Sequence, residues 1–501
     1  MVHRVEKTVV GWGLAAVWAW GFPLVSQLST HRVWGMSAGI GYTAAALVAG
    51  LVSWPRARTL AVYCALAGAV AVPLTYFLLT GDQQSEVGVI ERAGALTLSQ
   101  GTPYLADPHT VVDYTPYLPG MALFGVPRAL LGTDHWPLRV LGDARLWCAL
   151  AMFVCLEAGR RVLNTTPRTP AGLPTYRTTL IALTASPLVA LPLCVSGVDL
   201  PLTGLCCLAL ACAARGRTVA TGLALALGCA LKWTALPVIA VAAALLWRGH
   251  GGRAALRATA VALCGTALLV LPAALLSPHA MFQQVLAFPT GKGGVATPAA
   301  SPLPGRLLAD LGPAGWYTTV ALLLLGALAI GTSLLLRPPA TMADAAQRLA
   351  AGLCTGFLLA PAGRFGYLAL PLVLVLWARQ AAPGTSRRVA SRQAVSGQVA
   401  PGQAVPWQVV SGRVAPGQAA PRQVVSGQVA SGQTASRQAV SGHVAPGQVA
   451  PRQTASRHVT PSPATPRHPA RRAAACPRTE PQPPPPADAG SPSVLAAGGG
   501  R

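Results

Sequence analysis

Two carboxylates stand one helical turn apart where the third apolar run of the chain ends: Asp82 and Glu86, in "GDQQSEV" (81–87). A carboxylate at the end of a membrane span, in a cleft of low dielectric, has its pKa raised towards the working pH and so suits general-base work. The neighbourhood is unusual. Seven of the chain's fourteen acidic residues fall between positions 82 and 143. A solvated outer loop tolerates such a concentration, but the accompanying pattern is not that of a free loop. Glu86 precedes a helix-like apolar spacing (Val89, Ala93, Leu96), "GTPY" (101–104) then supplies a turn, and "DYTPYLPGMALFGVPRALLG" (113–132) reads as an amphipathic or re-entrant segment.

Cations of the right kind lie far along the chain. Lysine occurs only three times, at Lys7, Lys232 and Lys292, so each lysine is informative where arginine is not. Asp199, in "GVDLPLTGL", and Lys232, in "LKWTALP", stand at the mouths of apolar runs. Lys292 sits among glycines in "FPTGKGGVATPAASPLPG", and Arg364 lies between two short apolar segments in "PAGRFGYLALP". A phosphate group needs such partners: lysine serves as a point charge and arginine as a two-pronged fork. The plain alternative for each is an interfacial charge that snorkels to water.

These residues require a membrane scaffold. Only 10% of the residues are charged, against about 25% in soluble domains, and runs near the ~20 apolar residues that cross a bilayer recur through three quarters of the chain. Apolar spans are read at about 9–27, 33–54, 60–80, 138–158, 178–196, 200–214, 218–231, 233–247, 258–276, 315–336, 349–361 and 366–378. The first is long, lacks a clear small-residue cleavage site and reads as a span rather than a cleaved signal. Basic residues mark alternate connections: Arg4 and Lys7, Arg56 and Arg58, Arg160 to Arg177, Arg215 and Arg217, Arg248 to Arg257, Arg337 and Arg348. The positive-inside rule makes these cytoplasmic. The acidic loop 81–137, Asp199, Lys232, the loop 277–314 and Arg364 then share the exoplasmic face. The expected fold is therefore all-α: a polytopic membrane protein of 10–13 transmembrane helices spanning 1–380.

From about residue 381 the composition changes. Five-residue units such as "SGQVA PGQAV PWQVV SGRVA" recur, too rich in Gly, Pro and Ser for a helix and too poor in bulk for a core, so 381–501 is expected to be a disordered cytoplasmic tail. Residues 379–501 hold fourteen Arg and two acids, which accounts for half of the net charge of +24; the basic excess is thus tail and inner loops, not a nucleic-acid surface. The eleven cysteines include no C-x-x-C pair and read as small buried apolar residues. No G-x-G-x-x-G follows a strand, no D-x-D is present, and no His or carboxylate cluster has metal-ligand spacing, so neither a nucleotide cofactor nor a metal is supported.

Taken in order, the acidic residue about eighteen before the Tyr of "GTPY", then "DYTPYLPGMALFG", "GVDLPLTGL", "LKWTALP", "ATPAASPLPG" and "RFGYLALP" resemble the actinobacterial branch of glycosyltransferase family 87, polyprenol-phosphate-mannose-dependent enzymes of the GT-C superfamily. The resemblance covers roughly 76–380. It implies a GT-C-like helical bundle with an extracytoplasmic site in the cell membrane, moving a hexose, mannose in the family, from a polyprenyl-phosphate sugar to a lipid or glycan acceptor. It implies Glu86 as the catalytic acid position, by its distance to Tyr104, with Asp82 as the competitor. Donor-phosphate or substrate contacts fall to Lys232, Lys292 and Arg364, with Asp199, Tyr104 and Tyr114 on the same motifs. Two departures stand out: "GVDLP" has a single acid where two are expected, and the later outer loops offer only His279 as a histidine. The rival class is a multispanning transporter or lipid flippase. Such proteins carry ionisable residues near the bilayer midplane, whereas here the charges gather at the mouths of the spans.

Overall fold

The computed structural model describes residues 2–52, 56–163, 176–295, 299 and 301–381, with the side chains of 2–5 excepted. The pentapeptide tract lies outside the described residues. Every apolar run becomes a helix, because a chain in lipid must satisfy each backbone N–H and C=O within itself; no strand occurs among the described residues. Helices of eight residues or more follow in order. They are α1 (Val2–Val25), α2 (Ser29–Leu51), α3 (Arg56–Thr80, with a π turn at Ala67–Ala71), α4 (Ser85–Gln100) and α5 (Ala144–Val162). Next come α6 (Tyr176–Ala185), α7 (Pro187–Val195), α8 (Leu200–Ala214), α9 (Thr218–Leu231) and α10 (Leu236–His250). The last are α11 (Gly252–Leu276), α12 (Pro313–Leu336), α13 (Met342–Leu359) and α14 (Ala369–Ala381).

Most of the twelve apolar runs read from the sequence fall largely on one of these helices; 178–196 falls on the pair α6 and α7, and 138–158 is broken at Asp143, between the short helix Trp136–Gly142 and α5. Five of them (the 6–25 part of α1, then α2, α3, α11 and α12) are 20–25 residues long and apolar enough to cross a membrane. The α6–α7 pair, bent by 62° at Ser186, makes a sixth candidate. Pro187 explains the bend: it lacks an N–H and disfavours helix in the residue before it. The protein is a multi-pass membrane protein.

Length and burial sort the helices into a rim and a centre. The apolar windows of α11 and α12 are only 11% buried, and side chains such as Leu268 and Leu328 point outward, as expected of lipid-facing helices. Nearly every residue of α8 is buried, from Leu200 to Ala213, as a helix apolar all round must be. At 1.5 Å per residue its 15 residues rise about 22 Å, short of the ~30 Å hydrocarbon thickness. A short central helix among longer ones leaves a recess at its end, and connections between the helices line it.

The helix that carries Glu86 is seated by glycine. Gly81 (φ 82°) ends α3 in a left-handed turn, and α4 starts four residues later. Along α4, Gly94 meets Gly125 so closely that a Cβ on Gly94 would lie 2.3 Å from the Gly125 carbonyl carbon, and one on Gly125 would lie 2.0 Å from the Ile90 carbonyl oxygen. The segment Pro119–Phe124 thus packs directly on α4, which is how the expected re-entrant stretch is held.

Candidate active site

The connections after α1, α3, α7, α9 and α13 all contribute to one cavity of about 1360 Å³. Alternation of the spans brings these connections to the same end, the end to which the basic-loop pattern had assigned the acidic stretch. Its lining includes apolar side chains, among them Val17 and Phe22 of α1, Leu188 and Leu191 of α7, and Leu372 and Val373 of α14. It also includes a polar wall of Glu86, Ser196, Asp199, Lys232, Arg364 and Tyr367.

Glu86 stands in the first turn of α4, where the helix dipole favours a negative charge. That alone is ordinary helix chemistry; its partners are not. Ser196 Oγ donates to Glu86 Oε2 at 2.8 Å, and the Arg364 guanidinium pairs with Oε1. The two side chains remain 19% and 31% exposed, so a substrate in the cavity can reach them. Beside them Lys232 Nζ lies 2.9 Å from Asp199 Oδ1 and 4.5 Å from the centre of the Tyr367 ring. Burial opposes the charge on Lys232, but Asp199 and the surrounding acidic groups outweigh it and hold the ammonium above its usual pKa. The polar wall therefore carries two cation–carboxylate pairs side by side, with no net charge. Thr234, also on the lining, has a buried hydroxyl without a hydrogen-bond partner.

Four of the residues singled out in the sequence thus meet: Glu86, Asp199, Lys232 and Arg364. Four others are placed elsewhere. Asp82 is exposed, accepts from Thr80 Oγ1 at 3.0 Å and does not line the cavity. Lys292 rests on the face of Trp316, 3.9 Å from the ring centre, a cation–π seat away from the lining. Tyr104 is buried and donates to the Tyr117 carbonyl at 3.0 Å; Tyr114 is buried and stacked on Phe288, with ring centres 4.4 Å apart. Both tyrosines fasten the 101–118 segment and do not line the cavity.

Other lining residues went unremarked in the sequence. Ser196 and Tyr367 sat at the edges of motifs already noted, "VSGVDLP" and "RFGYLALP", and could have been found there. His31, at the start of α2, lines the cavity with its Nε2 2.5 Å from Gln84 Nε2 and its Nδ1 3.3 Å from Ser26 Oγ; its position after an ordinary span gives no signal.

Three of the remaining acids of the stretch serve the scaffold. Glu91 pairs with Arg128 (3.2 Å) and accepts from the Ala144 backbone N–H. Asp143 caps α5 and grips Arg145. Asp113 closes a capping box with Thr110, which holds its carboxyl below the usual range. Among the described residues no group of three or more His, Cys, Asp or Glu could hold a metal.

The model of one family, glycosyltransferase family 87, matches residues 114–361. This stretch belongs to glycosyltransferase family 87. The family 87 match includes Asp199 and Lys232; Glu86 and Arg364 lie just outside it, and the structure joins them to it. No curated protein matches the chain. Two solved structures are similar, both of ArnT from Cupriavidus metallidurans, one bound to undecaprenyl phosphate and one in the apo state. Identity is 16% and 17%, the TM-score 0.40 for each, and the match covers 67% and 66% of this chain. The chain spans about three fifths of those relatives, 62% and 61% of their length.

Proposed function

We propose that this protein is a GT-C-type membrane hexosyltransferase that moves a sugar, mannose by the family resemblance, from a polyprenyl-phosphate donor to the hydroxyl of a lipid or glycan acceptor. The site faces the exoplasm, with the N-terminus and the 381–501 tail on the cytoplasmic side of the plasma membrane. The observation that carries this reading is the meeting of Glu86 with Arg364, 278 residues away, in a cavity lined by both charged and apolar side chains.

This mixed lining suits the donor: a charged phosphate beside the cations and an isoprenoid chain against the apolar side chains of α1, α7 and α14. Because both cations are already paired, an incoming phosphate takes the Arg364 guanidinium from Glu86. Ser196 stays on the carboxylate, which is then free to act. Glu86 removes the proton from the acceptor hydroxyl as its oxygen attacks the anomeric carbon. The bond from that carbon to the phosphate oxygen breaks, and polyprenyl phosphate leaves with its charge stabilised by Arg364 and Lys232, an electrostatic contribution of the oxyanion-hole kind. The free Thr234 hydroxyl is available to a sugar oxygen.

The test is incubation of membranes containing the protein with radiolabelled polyprenyl-phosphate mannose, followed by separation of the labelled lipids and glycans. A labelled product that disappears with Glu86→Gln is expected. Label that stays on the donor with every acceptor fraction from the native membrane would remove the transferase reading.

A further inference from the structure

The most completely buried charged side chain described is Arg145, with a side-chain exposure of 0%. It sits at the second position of α5, outside the cavity lining, and touches none of the groups to which the chemistry above is assigned. Its guanidinium nevertheless makes four hydrogen bonds. Nε donates to Asp143 Oδ1 (2.9 Å) and one terminal nitrogen to Asp143 Oδ2 (2.7 Å), a two-pronged grip. The other terminal nitrogen donates to two backbone carbonyls, Asp82 O at 3.0 Å and Cys194 O at 2.9 Å.

Those two carbonyls belong to the segments that deliver the base and its partner. Asp82 is four residues before Glu86, and Cys194 is two before Ser196. The segments are sewn together again at Gln84 N–H to Val195 O (3.0 Å) and end in the Ser196 Oγ to Glu86 Oε2 bond (2.8 Å). The turn after Val195 also folds around Arg145: Gly197 (φ 73°) places its missing Cβ 3.5 Å from the Arg145 Cα. A lysine could keep one contact to Asp143 but has no planar fork with which to hold the carboxylate and both carbonyls at once.

We infer that Arg145, held by Asp143, is a positioning residue that sets the Glu86 carboxylate and the Ser196 hydroxyl in register by clamping the 82–86 and 194–196 segments. The inference rests on the reading of Glu86 as general base. Misplacing a reacting group by about 1 Å costs on the order of 10²-fold in rate, so loosening the clamp lowers turnover and leaves donor binding alone.

The experiment is a double-mutant cycle on the full chain in lipid nanodiscs, with polyprenyl-phosphate mannose as the probe. Arg145→Lys should lower the single-turnover rate at saturating donor by about 10–10²-fold and leave the donor Kd within about twofold. In the Glu86→Gln background it should lower the residual rate by less than about twofold, because residues that act through one group do not add. If Arg145→Lys does not fold, Asp143→Asn takes its place; it keeps the guanidinium and frees it from its anchor. A loss of rate that recurs in full in the Glu86→Gln background, an equal loss of donor affinity, or an unchanged rate would each overturn the clamp. Wild-type turnover by Glu86→Gln itself would instead remove the base assignment, and the clamp with it, so the two failures are distinguishable.

Discussion

Glu86 and Glu91 are the same residue type on the same helix, yet they meet different surroundings. Five residues of α-helix turn the chain through about 500°, which leaves the two side chains some 140° apart. Glu86 faces the cavity and is held by two partners from distant parts of the chain, Ser196 and Arg364. Glu91 faces the scaffold, where Arg128 and the first turn of α5 enclose it. One carboxylate borders the cavity, where a ligand can reach it; the other does not line the cavity and joins α4 to the helices that follow. Chemical type places neither of them, and rotation about one helix axis separates them.

The sharpest way to break this contrast is the amide substitution at both positions. Glu86→Gln keeps shape and hydrogen bonding but cannot take a proton, and removal of a general base costs about 10²–10⁴-fold in rate. Single-turnover transfer at saturating donor measures it. A near-native rate for this variant with a dead Asp82→Asn would move the base to Asp82.

Next in size is donor affinity. Arg364→Ala and Lys232→Ala each remove a charge-assisted contact to phosphate, worth roughly 1.5–3 kcal/mol, and equilibrium binding of labelled polyprenyl-phosphate mannose should weaken by about 10–10²-fold. Lys292→Ala should leave that affinity unchanged, since its ammonium is seated on Trp316; a loss equal to that of Arg364→Ala would bring Lys292 into the donor site.

Glu91→Gln should leave turnover near the native value and act on stability, with a pH dependence of definite sign. Burial raises the Glu91 pKa, and this outweighs the opposing pull of Arg128. Between the ordinary carboxylate value and the raised one, the folded protein binds more protons at this site than the unfolded chain. The contribution of Glu91 to stability is therefore present at the acid side of that interval and declines as pH rises through it. Thermal unfolding of wild type and variant in detergent should show the cost of Glu91→Gln, about 1–3 kcal/mol at its largest, shrinking with rising pH. A cost that grows with pH would mean the Arg128 pair, not burial, governs this carboxylate. The smallest effect belongs to the tail: truncation after residue 382 should change neither insertion nor rate, and a truncated protein that inserts but does not transfer would give the repeat tract a role.

Much of this arrangement was legible in the chain. The helix that follows Glu86, closed at Gly101 before "TPY", was visible as an apolar spacing with a terminating glycine, and α4 runs from Ser85 to Gln100. Asp199, Lys232 and Arg364 were visible because a charge at the mouth of an apolar run is costly and stands out. Tyr104 and Tyr114 were read as substrate contacts, and the structure turns them into the packing of the 101–118 segment. Arg145 is not legible in this way, since nothing local says that its fork closes on carbonyls 63 and 49 residues away.

The sequence by itself determined which segments are apolar enough to form helices of a membrane bundle and which connections share an end. The free energy of moving a segment from water to lipid is a sum over about twenty neighbouring residues, and the bias of Lys and Arg is likewise local. Only the tertiary structure decided which of the gathered carboxylates faces the cavity and which cation meets it. Those outcomes depend on the rotation of each helix about its axis and on contacts such as Gly94 on Gly125 or Glu86 with Arg364, and no sum along the chain contains the distance between residues 278 positions apart.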